Sequence, residues 1–236
     1  MIITLINPTT NQRQTGSMVA HAHECAPPGV MVRGVNAPFG AQYISTPPIL
    51  RLAHEAVNAM ADDLEATDAV VIGSIADPGR DALTARFSSG VVGLGEAAMD
   101  EAASTGRFSI ITACPHLIQD ITSLAHAYGH AEALVSVRAI VGDTARHLDN
   151  VAALLPAIRR VMDSILKENV GAVIIGGPMI GTLASTLARE VPMHVVDPIA
   201  AAIAKVSGGI DIAAKGRLSH RPAGAWPARP TSDEGT

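Results

Sequence analysis

Short runs rich in Val, Ile and Ala alternate along the chain with longer Ala-rich amphipathic stretches. No other feature narrows the fold as much. The runs are IITLI (2–6), VMVRGV (30–35), AVVIG (69–73), VVGL (91–94), FSIITA (108–113), ALVSVRAI (133–140), AVIIG (172–176) and MHVV (193–196). Helix-like segments are clearest at 47–64, 95–105, 116–128, 144–167 and 198–205. In 144–167, Leu148, Val151, Leu154, Leu155, Ile158, Val161, Met162 and Ile165 recur at three- and four-residue steps, which makes one helix face apolar. Such alternation predicts an α/β fold of mostly parallel sheet flanked by helices.

Composition fits this reading. Hydrophobic residues make up 48 % of the 236, but aromatics only 3 %. The core therefore has to be built from Ala, Val, Ile and Leu, as in a parallel sheet covered by Ala-rich helices. The net charge is −5, with no Lys or Arg cluster. That argues against nucleic acid or an anionic membrane as partner. No window approaches the roughly 20 apolar residues that span a bilayer. The start, MIITLINPTTNQ, reads as a strand and loop rather than a signal peptide. Two cysteines, Cys25 and Cys114, make neither a disulfide framework nor a zinc motif, and the cytoplasm is the simplest compartment.

A weak internal repeat organises the chain. DAVVIGSIADPG…GVVGLGEAAMDEA (68–102) matches GAVIIGGPMIGT…MHVVDPIAAAIAKV (171–206), and IITLINPTT (2–10) echoes IITACPHLI (110–118). Two similar lobes follow, 1–105 and 106–206, the C-terminal segment being able to pack back onto the first. An extension at 207–236, rich in Pro, Gly and polar residues, is expected to be partly disordered. A cleft between such lobes is a preferred ligand site, lined by the loops at the strand C-termini. In the repeat, Ser74 pairs with Gly177, and Asn7-Pro8 with Cys114-Pro115.

Those loops supply the candidates. Ser74 is either a nucleophile needing a base or, as we favour, a ligand-holder, with the N–H groups around Ser74 and Ile75 forming an anion-binding nest. Cys114 and His116, after Thr112 in TACPHL, could make an activated thiolate; the plain alternative is a buried small hydrophobe and a solvent-facing His. Asn7 and Thr9 suit either ligand contact or helix capping. Gly176, Gly177 and Pro178 form the opposing loop, where backbone can approach a ligand closely. Phe39 and Tyr43 are candidates for a substrate wall or for core packing. Asp77 reads as a turn or cap residue rather than a base. Glu96 and Asp197 each begin a helix, complementing its dipole. In HAHEC (21–25), His21 and Cys25 share a helix face at i, i+4, but two ligands do not complete a metal site, so no metal is expected. GLGEAA lacks the spacing of a dinucleotide fingerprint, and no cofactor is expected.

INPTT, the DPG after the third strand, VVGLGEAA, FSIITA and SVRAI, in this order, resemble the aspartate/glutamate/hydantoin racemase superfamily, especially its hydantoin and allantoin racemase branch. The resemblance covers about 1–206. It implies two pseudo-twofold-related lobes with the site between them, and a small carboxylate or cyclic amide as substrate. Relatives are often oligomers, so a homo-oligomer is an expectation by analogy. The family's Asn at the position of Asn7 reaches the substrate, and in decarboxylase-like relatives the loop of Cys114 and His116 helps hold a substrate carboxylate.

Racemases of this family carry one cysteine per lobe, one thiolate taking the α-proton while the other thiol returns a proton on the opposite face. Here Ser74 and Gly177 stand at those two positions. A hydroxyl is too weak an acid to serve as the base unaided. The decarboxylase branch keeps one cysteine with a small residue opposite. The resemblance therefore implies one-sided chemistry at or next to an activated carbon: a lyase, decarboxylase or ring-opening reaction, with His116 or Cys114 moving the proton. A racemase built on other groups, a Ser74-dependent hydrolase and a non-catalytic small-acid-binding protein remain as alternatives.

Overall fold

The computed structural model describes residues 1–61, 64, 66–87, 90–140 and 150–208. They form two parallel four-stranded sheets. The first has strand order β2-β1-β3-β4, with β1 Ile2–Asn7, β2 Met31–Asn36, β3 Ala69–Ile72 and β4 Gly90–Gly93. The second, β6-β5-β7-β8, repeats that order with β5 Phe108–Thr112, β6 Leu134–Ala139, β7 Ala172–Gly176 and β8 His194–Val196. The expected α/β fold and the repeat are therefore both present. The central strands β3, β5 and β7 are buried at every residue, which is why they read as unbroken apolar runs. The edge strands β2 and β6 are mostly half-buried and admit Arg33 and Arg138.

The connecting helices are α1 Gln12–Cys25, α2 Pro47–Ala59, α3 Arg80–Arg86, α4 Leu94–Ser104, α5 Ile118–Ala127, α6 Leu155–Ile165, α7 Ala184–Leu187 and α8 Pro198–Val206. Helix α6 starts later than the apolar periodicity suggested: a 3-10 turn, Val151–Leu154, comes first, and Pro156 sits in the first turn of α6. Leu148 and the start of that segment lie outside the described residues, as does nearly all of the expected C-terminal extension.

The lobes share one core. Ile3, Leu5, Val71, Leu94 and Met99 from the first belong to the same buried cluster as Phe108, Ile110, Ile174, Val196 and Ile203 from the second. Two helices produce this continuity. α4, which follows the last strand of the first lobe, packs on β7 and β8, while α8, which follows the last strand of the second, packs on α1, α4, β3 and β4. Both start at a carboxylate. Asp197 caps α8, its Oδ1 accepting from Ile199 N at 2.9 Å. The cap of α4 comes from the preceding loop instead. Asp77 accepts from Gly95 N at 2.8 Å and Glu96 N at 2.7 Å. Glu96 itself turns outward to Arg80 and Lys205.

Asp77 holds the left-handed conformation, φ 46°, which Asp tolerates better than most residues. Its carboxylate fills the space beside Gly93, where an added Cβ would lie 2.0 Å from Asp77 Cγ. The turn-or-cap reading of Asp77 thus describes its hydrogen bonds, although the helix it caps begins 17 residues later.

Candidate active site

In both sheets the chain reverses direction across the sheet between the first and third strand of the lobe: β2 lies to one side of β1 and β3 to the other, and likewise for β6 and β7 about β5. Crevices of α/β sheets form outside the strand C-termini at such switch points. The loops after β1, β3, β5 and β7 indeed face one another around a small cavity of about 80 Å³. The two lobes touch there, since a Cβ on Gly176 would come within 3.4 Å of Ile75 Cγ1.

Asn7, Thr9, Tyr43, Ser74, Ile75, Thr112, Cys114, Gly176, Gly177 and Pro178 all line the cavity. His116 and Phe39 do not. His116 lies in the 3-10 turn Pro115–Leu117, where successive residues point about 120° apart. Leu117 takes the inward direction, 3 % exposed, and leaves His116 in solvent. Phe39 is 42 % exposed on the loop after β2, and of the two aromatics only Tyr43 reaches the wall. Gln14, Ile44, Leu117, Met179 and Ile180 also line the cavity without having been singled out. The switch-point geometry points at Gln14, in the first turn of the helix after β1, but no motif marks it.

Asn7, Ser74 and Cys114 each have an identifiable local partner. Asn7 Nδ2 donates to Asn11 O and Thr15 Oγ1, and its Oδ1 accepts from Thr9 N and Thr9 Oγ1. Asn7 thus braces the loop, while the helix cap of α1 is Asn11. Ser74 is buried, and its Oγ accepts a long bond from Ala76 N at 3.4 Å. Cys114 Sγ donates to Ile44 O at 3.2 Å, and burial pushes its thiol pKa up. It is a protonated thiol at neutral pH, not the activated thiolate that a neighbouring His would have produced.

Gly177 has φ 149°, a conformation that L side chains rarely adopt, and a Cβ there would meet Ile180 Cγ1 at 3.3 Å. No Asp, Glu, Lys, Arg or His lines the cavity among the described residues. The N–H groups of Ile75 and Gly177 make no hydrogen bond among the described residues. What the arrangement offers a ligand is therefore apolar surface, backbone donors from both lobes, four hydroxyl-bearing side chains (Thr9, Tyr43, Ser74 and Thr112), the amides of Asn7 and Gln14, and one thiol.

The family model described as Asp/Glu/Hydantoin racemase matches residues 3–206. The chain belongs to this family. Among curated relatives it is similar to a hydantoin racemase of Paenarthrobacter aurescens, 27 % identical over 208 residues that cover 86 % of this chain and 88 % of the relative. Among solved structures it is similar to an allantoin racemase from Klebsiella pneumoniae, with TM-score 0.80, 28 % identity and coverage of 90 % of this chain and 89 % of that one. An allantoin racemase from Pseudomonas fluorescens shares the fold at TM-score 0.83 and 23 % identity, over 90 % of this chain and 92 % of that one. This membership makes the chain an enzyme of the racemase and isomerase superfamily that acts on small molecules. Among the described residues, no helix is long and apolar enough to cross a membrane.

Proposed function

We propose that the interlobe cavity binds a small cyclic amide or carboxylate and promotes one-sided chemistry at the carbon next to its carbonyl, a lyase, decarboxylase or ring-opening reaction rather than two-thiol racemisation. One observation carries this reading: Ser74 and Gly177 lie just past the ends of β3 and β7, one from each lobe, both line the cavity, and neither provides an acid or base. Cys114 is the one thiol in the cavity. Racemisation needs a base and an acid that exchange roles on the two faces. A single protonated thiol suits delivery of a proton to one face of an enolate-like intermediate.

The intermediate's oxyanion would be met by N–H groups of the Ser74–Ile75 and Gly177 loops. Such fixed donors in a water-poor cavity are each worth roughly 10²–10³ in rate. With no charged side chain lining the cavity among the described residues, a neutral cyclic amide is the better fit of the two substrate classes. A serine hydrolase is disfavoured on the same ground: among the described residues, no His or carboxylate lines the cavity with Ser74. The test is turnover in D₂O of hydantoins, ureides and substituted malonates. Product deuterated on one face, without racemisation of the substrate, is expected. Rapid α-proton exchange with racemisation would overturn the proposal.

A further inference from the structure

The HAHEC stretch gains a third partner in the fold. His21 and Cys25 lie one turn apart on α1, and the N-cap residue of α8, Asp197, meets them from the far end of the chain. A ring nitrogen of His21, Cys25 Sγ and a carboxylate oxygen of Asp197 all lie within 4.8 Å of one another. His21 Nε2 is 2.5 Å from Asp197 Oδ2. None of the three lines the interlobe cavity.

The remaining atoms of these groups are held as metal ligands usually are. His21 Nδ1 faces Glu24 Oε2 at 3.4 Å, a carboxylate behind the imidazole that fixes ring orientation. Asp197 Oδ1 is tied to the N-terminus of α8 by Ile199 N and Ala200 N, leaving Oδ2 to point at His21. All three ligands are half-buried, on two helices packed against each other.

We propose that His21, Cys25 and Asp197 form a tetrahedral site for a divalent transition metal of the Zn²⁺ or Co²⁺ type, with water in the fourth position, tying α1 to α8. One thiolate, one imidazole and one carboxylate select such an ion over Mg²⁺ or Ca²⁺, which take oxygen ligands. Metal bonds of about 2.0 Å to N and O at the tetrahedral angle put those atoms about 3.3 Å apart. His21 and Asp197 must then open by less than ~1 Å, which side-chain rotation provides. With Nε2 on the metal the imidazole proton stays on Nδ1, which donates to Glu24, and the thiol proton of Cys25 leaves to solvent, so binding strengthens as pH rises.

The site has a route to the cavity. Asp197 Oδ1 is 3.4 Å from the Cβ position of Gly181, and Gly181 N donates to Gly177 O at 2.8 Å. An ion here would stiffen the second-lobe loop from behind.

The experiment uses full-length protein, metal-depleted, titrated with Co²⁺ and Zn²⁺. The expected result is one equivalent bound, with a thiolate-to-Co²⁺ charge-transfer band that Zn²⁺ displaces. The band should vanish in Cys25→Ser and persist in Cys114→Ala. Glu24→Ala changes only an exposed side chain and should fold normally, with Zn²⁺ affinity about 10–100-fold weaker. Asp197→Asn keeps the helix cap and should also weaken binding. Absence of the band, or a band that survives Cys25→Ser, would overturn the proposal. So would unchanged affinity in both Glu24→Ala and Asp197→Asn.

Discussion

The Tyr128 hydroxyl, from the end of α5 in the second lobe, donates to Asp77 Oδ2 in the first at 2.9 Å. This bond crosses between the lobes and finishes a carboxylate already accepting two backbone N–H groups. Tyr128→Phe removes one donor from a fully buried acid. The expected cost is about 1–2 kcal/mol of stability, measured by urea unfolding, with the Asp77 carboxyl titrating higher than in the parent. A cost near zero would mean that the interlobe bond contributes nothing.

Asp77 also sets a pH dependence. Burial pushes its pKa up, to about 7 from an ordinary 3.8, against the lowering effect of the Gly95, Glu96 and Tyr128 hydrogen bonds. Because the folded value lies above the unfolded one, the folded state takes up a proton between the two. Its contribution is fully present below about 3.8, declines as pH rises through about 7, and levels off above that. Asp77→Asn should therefore flatten the stability profile between pH 5 and pH 8. Identical slopes in the variant and parent would show that Asp77 does not titrate in this range.

His54 acts with the opposite sign. Its Nδ1 accepts from Gly79 N at 2.9 Å, and burial lowers its pKa. The stability it contributes is present above the ordinary value of 6.5 and is lost as pH falls through the lower folded value. An NMR titration should find the His54 ring still neutral at pH 6.5 and its Nδ1 unprotonated. A ring mostly charged at that pH would contradict the assignment.

Cys114 should behave as a shielded thiol. With its proton donated to Ile44 O and its pKa raised by burial, alkylation at neutral pH is expected to be much slower than for a free thiol peptide. Under the proposed function, Cys114→Ala loses roughly 10²–10⁴-fold in turnover while still binding substrate. Turnover within a factor of a few of the parent would remove Cys114 from the chemistry.

Ser74→Cys places a thiol at the end of β3 without an acid at the end of β7. Proton exchange at one face is the expected gain, with no racemisation, read by deuterium incorporation. Gly177→Cys should be destabilised by about 1–3 kcal/mol, because a side chain there is held at φ 149°. Racemisation by Ser74→Cys alone would show that another group already works the opposite face.

The sheets were readable because their central strands are buried on both faces, so that AVVI and AVIIG appear as unbroken apolar runs. The repeat then located the cavity, since equal strand orders put equal loops at its rim. Side-chain direction within those loops was not readable. Whether His116 or Leu117 points inward depends on the phase of a three-residue 3-10 turn, and Phe39 and Tyr43 differ only in where their loop bends. Partners distant in the chain were invisible too. Asp77 meets Tyr128 51 residues away, and His21 meets Asp197 across 176 residues. Local pattern specifies elements; which polar groups meet is decided only once α4 and α8 have crossed between the lobes.

The backbone at Gly177 acts as a ratchet. With the loop in a glycine conformation, a thiol placed there by changing one residue is held at a strained φ and pressed on Ile180; relaxing the turn toward Gly181 would relieve that strain, a step that brings no new chemistry of its own. On this scaffold the kind of reaction is guarded by loop shape as much as by side-chain identity. A designer wanting two opposed thiols would therefore do better to reshape the segment 176–181 together with the substitution at Gly177.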